Sequence, residues 1–186
     1  NQNRNKTNRE LIHNTNEKLS ATESKMEALR NITERYDGYG NSIRRVMEQK
    51  QWNPGIIGVV ADIITVNQKY EVAVETALGG SIQNIVTEDD ATAKRMISYL
   101  KTNRLGRATF LPLNTITDRG SVRNDVLREK GVIGVASDLV EVDSKFNTLV
   151  KNLLGKIIVV DNIDNALAVA RKNNQSLRLV TIEGEL

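Results

Sequence analysis

Gly58-Val59-Val60-Ala61-Asp62 returns further along the chain as Gly134-Val135-Ala136-Ser137-Asp138. At the same offset Val66 matches Val142, Lys69 matches Lys145, Tyr70 matches Phe146, Val74 matches Val150, Leu78 matches Leu154 and Gly79 matches Gly155. After a short gap the register resumes, with Ile85-Val86 against Ile158-Val159 and Ala93 against Ala166. Residues 58–113 and 134–183 therefore read as two copies of one unit. The repeat is neither that of a solenoid nor that of a propeller blade. It implies two similar subdomains packed with pseudo-twofold symmetry. Such a body leaves comparable strand edges on both sides, each able to pair with another copy of the chain.

Each copy spells the same order of elements. An apolar, β-rich run opens it (56–66 and 132–142), and a short amphipathic helix closed by glycine follows (70–78 and 146–154). Next come a strand (82–86 and 157–160), a longer helix after an acidic start (89–101 and 163–172) and a final strand (107–111 and 177–182). Strands alternating with helices give a mixed α/β (α+β) fold with small sheets and flanking helices. Residues 114–131 connect the copies, with a helix expected over 122–129. The subdomains accordingly run over 56–113 and 132–186.

Ahead of them, residues 1–37 read as an arm and 38–55 as a junction. The stretch 5–36 holds no Pro or Gly. Ile12, Thr15, Leu19, Thr22, Met26, Leu29, Thr33 and Tyr36 follow four-three spacing, the seam of a coiled coil. No second heptad segment exists in the sequence, so the partner for this stripe is expected from outside it or from another molecule. The polar start without an initiator Met reads as part of a longer protein. Glycines at 38 and 40 suit a helix C-cap. Asn41 or Ser42 is expected to cap a second helix over Ile43, Val46 and Met47. Asn53-Pro54-Gly55 marks a turn, and Trp52, the sole tryptophan, is expected to pack at the junction.

The chain's 186 residues contain no cysteine, which rules out disulfides and thiolate metal sites, and one histidine, His13, expected to face solvent on the arm. No phosphate loop is present: Gly155-Lys156 is followed by Ile157 where Ser or Thr is needed. No dinucleotide fingerprint occurs either, and no cofactor, metal site or catalytic set is expected. Asp62 and Asp138 occupy one place in both copies, which fits a structural role. No stretch is long and apolar enough to read as a membrane span.

Charge is unevenly spread. The first 50 residues hold ten Lys/Arg against seven Asp/Glu, and this accounts for the whole net charge of +3. Further on, Lys94, Arg95, Lys101, Arg104 and Arg107 follow one another with no acid between, directly after Glu88-Asp89-Asp90. Two readings stay open. The run is a helix whose acids and bases complement its macrodipole, or it is a patch that attracts phosphate backbones. Gly79-Gly80-Ser81 is likewise either a helix cap with a tight turn or a place where another backbone approaches closely.

Several linked motifs resemble one family. Tyr36-Asp37-Gly38-Tyr39 with Ile43-Arg44-Arg45-Val46-Met47, the stretch from Lys69 to Val86 that contains Leu78-Gly79-Gly80-Ser81-Ile82-Gln83-Asn84, Leu105-Gly106-Arg107-Ala108-Thr109-Phe110-Leu111-Pro112-Leu113, and the ending Leu179-Val180-Thr181-Ile182-Glu183-Gly184-Glu185-Leu186 together resemble the hinge of bacterial SMC (structural maintenance of chromosomes) proteins. The likeness covers residues 36–186, and residues 1–35 look like the end of the coiled-coil arm entering the hinge. The resemblance implies a homodimeric, ring-like hinge joining two arms of a chromosome condensation and segregation ATPase. The ATP-binding heads lie at the far ends of those arms. It also implies kleisin-type and accessory subunits that bind only through other parts of the full protein. The resemblance further implies a cytoplasmic, nucleoid-associated setting with no membrane, and a hinge that is not itself an enzyme. In the family a glycine-rich segment and the returning arm helix follow the closing strand, and both lie beyond Leu186.

For the dimer, the expectation is that an edge strand of one subdomain pairs with an edge strand of the partner's other subdomain. Arg107, Ala108, Thr109 and Phe110 would meet Leu179, Val180, Thr181 and Ile182, with Gly79 and Gly80 allowing close approach. For DNA, phosphate contacts without sequence readout are expected from Lys94, Arg95, Lys101, Arg104 and Arg107, joined by Arg44, Arg45 and Lys50 near the arm. Two alternatives stand beside this: a purely structural dimerisation linker without DNA affinity, and a small-molecule-binding α/β domain.

Overall fold

The computed structural model describes residues 2–35, 39–173 and 177–185. Tyr36, Asp37 and Gly38, where the arm helix was expected to end, lie outside the described residues, as do Leu186 and the side chains of Leu29 and Thr33.

The arm is a single helix, α1 (Gln2–Arg35), and the described apolar positions of its seam, Ile12, Leu19 and Met26, are exposed. His13 pairs with Glu17 at 3.1 Å on its surface. A short helix, α2 (Asn41–Glu48), follows and buries Ile43, Val46 and Met47. Neither Asn41 nor Ser42 caps it. Gly40 stands at the N-cap, and the Ser42 hydroxyl instead donates to the Arg107 carbonyl at 2.6 Å. Trp52 is 52% exposed, so the expected packing at the junction is not made.

The two copies then build the same unit. In the first, β1 (Ile56–Val59), α3 (Val60–Ile63), β2 (Thr65–Val66), α4 (Glu71–Leu78), β3 (Ile85–Thr87), α5 (Asp90–Thr102) and β4 (Phe110–Pro112) follow in order. After the connector helix α6 (Asn124–Leu127), the second runs β5 (Val132–Val135), β6 (Val140–Glu141), α7 (Asn147–Leu154), β7 (Ile157–Val160), α8 (Ile163–Lys172) and β8 (Arg178–Thr181). The apolar runs 56–66 and 132–142 are therefore not continuous strands. A helical turn interrupts each, α3 in the first and a 3-10 turn at Ala136–Leu139 in the second. The connector helix is shorter than the expected 122–129, and the final strands are trimmed to their laddered residues.

The duplication extends to local chemistry. Asn67 accepts from the Lys69 N–H and Asp143 from the Lys145 N–H. Asp89 caps α5 through the Thr92 N–H, and Asn162 caps α8 through the Asn165 N–H. Each copy forms a three-stranded sheet, ordered β1-β3-β4 and β5-β7-β8, with one antiparallel and one parallel pairing. Both antiparallel ladders carry an irregularity before the glycine, between Ile56 and Gly58 and between Val132 and Gly134. The extra residue shifts the pleat, so Ile56 and Val59 both reach the same outer core.

The copies join at two places. Strands β2 and β6 form an antiparallel pair in which Thr65 faces Glu141. These are equivalent positions of the repeat, so the pseudo-twofold axis passes through that pair. Next to it lies one shared core. Val60, Ala73, Val74, Leu78 and Val86 of the first copy pack with Ala136, Phe146, Leu149, Leu154 and Val159 of the second. The far face of each sheet has its own cover. Helices α2 and α5 bury Ile85 on one side, and α6 and α8 bury Ile158 and Val160 on the other. A three-stranded sheet gains stability when both of its faces are covered in this way.

Because the central layer is common property, the lobes should unfold as one. Truncating the fully buried Leu149 to Ala in the second copy is expected to cost about 2–5 kcal/mol, read from the urea midpoint. Hydrogen-exchange protection should fall in β3 and β7 together. Retained protection in β3 with a fall in β7 would show two independent cores.

Candidate functional site

Two features stand out on the surface, a basic groove and a pair of strand edges. The groove belongs to α5. Asp89 opens the helix, and hydrogen bonds from the Thr92 hydroxyl and then from its backbone N–H hold the Asp89 carboxyl below its usual 3.8, with a smaller contribution from Arg95. Asp90 sits in the first turn and Lys101 in the last, the charge order that suits the macrodipole. Past the helix end the chain turns back through Arg104 and Gly106. This leaves a groove of about 530 Å³ lined by Lys101, Arg104 and Arg107 over Ile97, Leu100 and Ala108. Among the described residues no acid lines it. The charge order along α5 fits the macrodipole reading, and the cations past its C-terminal end gather on one groove.

The eight expected cations separate into three sets. Lys101, Arg104 and Arg107 meet at the groove. Lys94 lies two turns before Lys101 on the same face, and the Arg95 guanidinium donates to the Thr92 hydroxyl at 3.2 Å. The other three are engaged nearer the arm. Arg44 donates to Asn41 Oδ1 at 3.1 Å, Arg45 pairs with Glu48 at 3.5 Å, and the Lys50 amine donates to the Ile57 carbonyl at 2.8 Å.

The strand edges differ from the expectation in a way the hydrogen bonds explain. In β4 the Thr109 carbonyl accepts from Ile85 and the Leu113 N–H donates to Thr87, so odd-numbered residues face the sheet. Arg107, Ala108 and Thr109 precede the strand rather than belonging to it. Phe110 and Pro112 face outward, but Pro112 has no N–H, and its carbonyl accepts from Thr115 and Ile116. In β8 the Ile182 N–H donates to Val160, so Leu179 and Thr181 face outward. Both outward groups of Thr181 are already taken: its N–H donates to Glu185 and its carbonyl accepts from Gly184. This hairpin-type turn requires Gly184, at φ +83°, and any Cβ there would meet Thr76 Oγ1 at 2.7 Å on α4. The side chains of Leu179, Val180 and Thr181 are buried within the chain, so only backbone is offered along this edge.

Gly79 ends α4 at φ +54°, a conformation that suits glycine. Open space lies where a Cβ would stand on Gly79 or Gly80. Gly80, Gln83, Asn84, Ala108 and Thr109 line one groove of about 360 Å³ beside the β4 edge. The 3-10 segment Gly79–Gln83 is also where the two copies drop out of register. No local pattern signals the Ser42–Arg107 tie or the bond from the Arg178 guanidinium to the Ala77 carbonyl at 3.2 Å. The Glu183-Gly184 step was readable as a turn signal. Among the described residues, no group of His, Cys, Asp and Glu is placed to hold a metal ion, and no helix is long and apolar enough to cross a membrane.

A duplicated α/β body fused across a pseudo-twofold, with a long heptad-patterned helix leading into it, defines a hinge module at the end of a helical arm. The family model of the SMC proteins flexible hinge domain matches residues 53–170, and the chain belongs to this family. It is 40% identical over 170 residues to the chromosome partition protein Smc of Lactiplantibacillus plantarum, covering 90% of this chain and 14% of that protein. To the Bacillus subtilis protein of the same name it is 35% identical, covering 96% of this chain and 15% of that one. The chain thus spans a small part of these relatives' length. Among solved structures, an asymmetric dimer of the Geobacillus stearothermophilus SMC hinge domain aligns with TM-score 0.76 and 35% identity over 94% of this chain and 72% of that chain. The Pyrococcus furiosus SMC hinge domain aligns with TM-score 0.66 and 37% identity over 88% and 84%.

The cap of α5 yields a pH prediction. A carboxyl held below its usual value in the folded state stabilises the protein above about pH 4, and that contribution disappears as pH falls through the lowered value. Asp89→Asn keeps an acceptor oxygen but does not titrate. Urea midpoints should therefore fall less steeply for the variant than for the unmodified chain between about pH 4 and pH 2. Superimposable acid limbs would contradict the assignment.

Proposed function

We propose that this chain is the homodimerising hinge of a chromosome-partition ATPase, linking two coiled-coil arms and holding DNA without sequence readout on the α5 groove. The observation that carries the DNA part is the convergence of Lys101, Arg104 and Arg107 at one acid-free groove. Three cations on one rim suit phosphate oxygens, which accept from guanidinium and ammonium groups. The described residues provide no row of exposed aromatics for base stacking, so the contacts are to the backbone. The homologous chromosome partition proteins support the wider role.

Dimerisation is supported by the two terminal edges and by the relative solved as a dimer. Phe110 on β4 and Leu179 on β8 each retain an outward backbone N–H and carbonyl. Each of these strands is the last in its own sheet. Pairing β4 of one copy with the β8 side of another gives two equivalent contacts about a C2 axis. The ladder is short, because the turn at Thr181 and the proline at 112 close the rest. Close backbone approach over Gly79 and Gly80 supplies the remaining contact.

Gly80→Val tests this, because the chain itself leaves room for the added side chain. The variant should keep the melting temperature while sedimentation equilibrium shows weaker association. An unchanged association constant would place the contact elsewhere. For DNA, Lys101→Glu combined with Arg107→Glu should lower duplex affinity at least tenfold. The log–log salt slope should fall by about 0.9 for each phosphate that is no longer neutralised. Equal binding by the double variant would leave the purely structural linker as the better account.

A further inference from the structure

Helix α5 ends in a closed Schellman motif. The Leu105 N–H donates to the Leu100 carbonyl at 2.9 Å, and the Arg104 N–H donates to the Lys101 carbonyl at 3.3 Å. Leu105 and Leu100 pack together in the outer core. This pattern needs a left-handed residue at the turn, a position that glycine usually fills because a Cβ crowds the neighbouring carbonyl there. Here the residue is Arg104, at φ +52°, and it is the one non-glycine residue with positive φ among those described. A glycine would make the same turn with less strain.

Among the described residues no hydrogen bond or ion pair accounts for arginine at this turn. Arg104 is exposed, and among the described residues its guanidinium makes no hydrogen bond or ion pair. It lines the groove with Lys101 and Arg107, and three like charges there repel one another until an anion arrives. We propose that Arg104 is an anchoring residue for phosphate, kept in a strained backbone conformation because that turn sets its guanidinium on the groove beside the other two cations. Strain in a sparsely populated backbone region is characteristic of binding sites, where geometry is held ready before the ligand arrives. The planar fork of arginine then donates to two oxygens of one phosphodiester, which a lysine at the same place does not. The inference rests on the reading that this groove takes the DNA backbone. It adds that the site is maintained at a cost in fold stability.

The test compares the unmodified 186-residue chain with Arg104→Gly, Arg104→Asn and Arg104→Lys, measuring melting temperature without DNA and duplex affinity over a range of salt. Arg104→Gly should raise the melting temperature by about 2–4 °C. It should also weaken binding about tenfold, with a salt slope lower by about 0.9. Arg104→Asn, which tolerates the left-handed turn, should weaken binding to the same extent. Arg104→Lys should keep the salt slope with reduced affinity. A stabilised Arg104→Gly that binds DNA as tightly as the parent overturns the anchoring role. Weakened binding without any stabilisation overturns the trade between strain and contact. Absence of salt-dependent binding by the parent chain would instead remove the reading of the groove itself.

Discussion

Burial of one apolar layer between two copies of the same unit is the constraint on which the rest of the structure depends. Neither three-stranded sheet covers both of its faces from its own copy. Val74 and Leu78 need Leu149 and Leu154, and the reverse holds equally. The β2–β6 pair fixes how the copies meet, because it joins equivalent residues and so places the pseudo-twofold axis. The outer covers and the terminal edges then take their positions from this one packing decision.

The basic groove and the Gly79–Gln83 segment lie where the two copies differ. Helix α5 carries Asp90 and Lys94 where α8 carries Ile163 and Leu167, and the acid-free groove occurs past the end of α5. The segment Gly79–Gln83 interrupts the register of the repeat, and it lies beside the β4 edge. The shared features, such as the Asn67 and Asp143 turns or the Asp89 and Asn162 caps, serve the fold in both copies. Internal duplication thus provides a control within one molecule: the recurring turns and caps serve the fold, whereas the basic groove and the Gly79–Gln83 segment belong to the first copy.

Much of the architecture was legible because apolar spacing and glycine placement recur at fixed offsets. The order of elements, the helix that begins at Asp89 and the edge character of both final strands could be read in this way. The interrupted strands could not. A run such as Ile56 to Val66 is apolar for most of its length, and apolar runs do not distinguish a strand from a strand followed by a helical turn. Trp52 was misplaced for a related reason, since size and hydrophobicity favour burial without requiring it. The closing of β8 by Gly184 and of β4 by Pro112 depends on which backbone groups face outward, and register decides that. The apolar stripe of α1 was legible, and its described positions are exposed in the structure.

The sequence by itself determined that the chain is a duplicated α/β unit behind a heptad-patterned helix, that it lacks thiol chemistry and phosphate loops, and that its acid-free run of positive charge gathers after Asp90. These are properties of spacing and composition, which survive without coordinates. Only the tertiary structure decided that Lys101, Arg104 and Arg107 share one groove while Arg45 and Lys50 are held by other groups. It also decided that, among the described residues, one residue on each terminal edge has outward backbone groups not taken within the chain, and that Arg104 occupies a left-handed turn. Each of these outcomes depends on contacts between residues far apart in the chain or on a backbone angle set by packing, and neither is encoded in any local pattern of side chains.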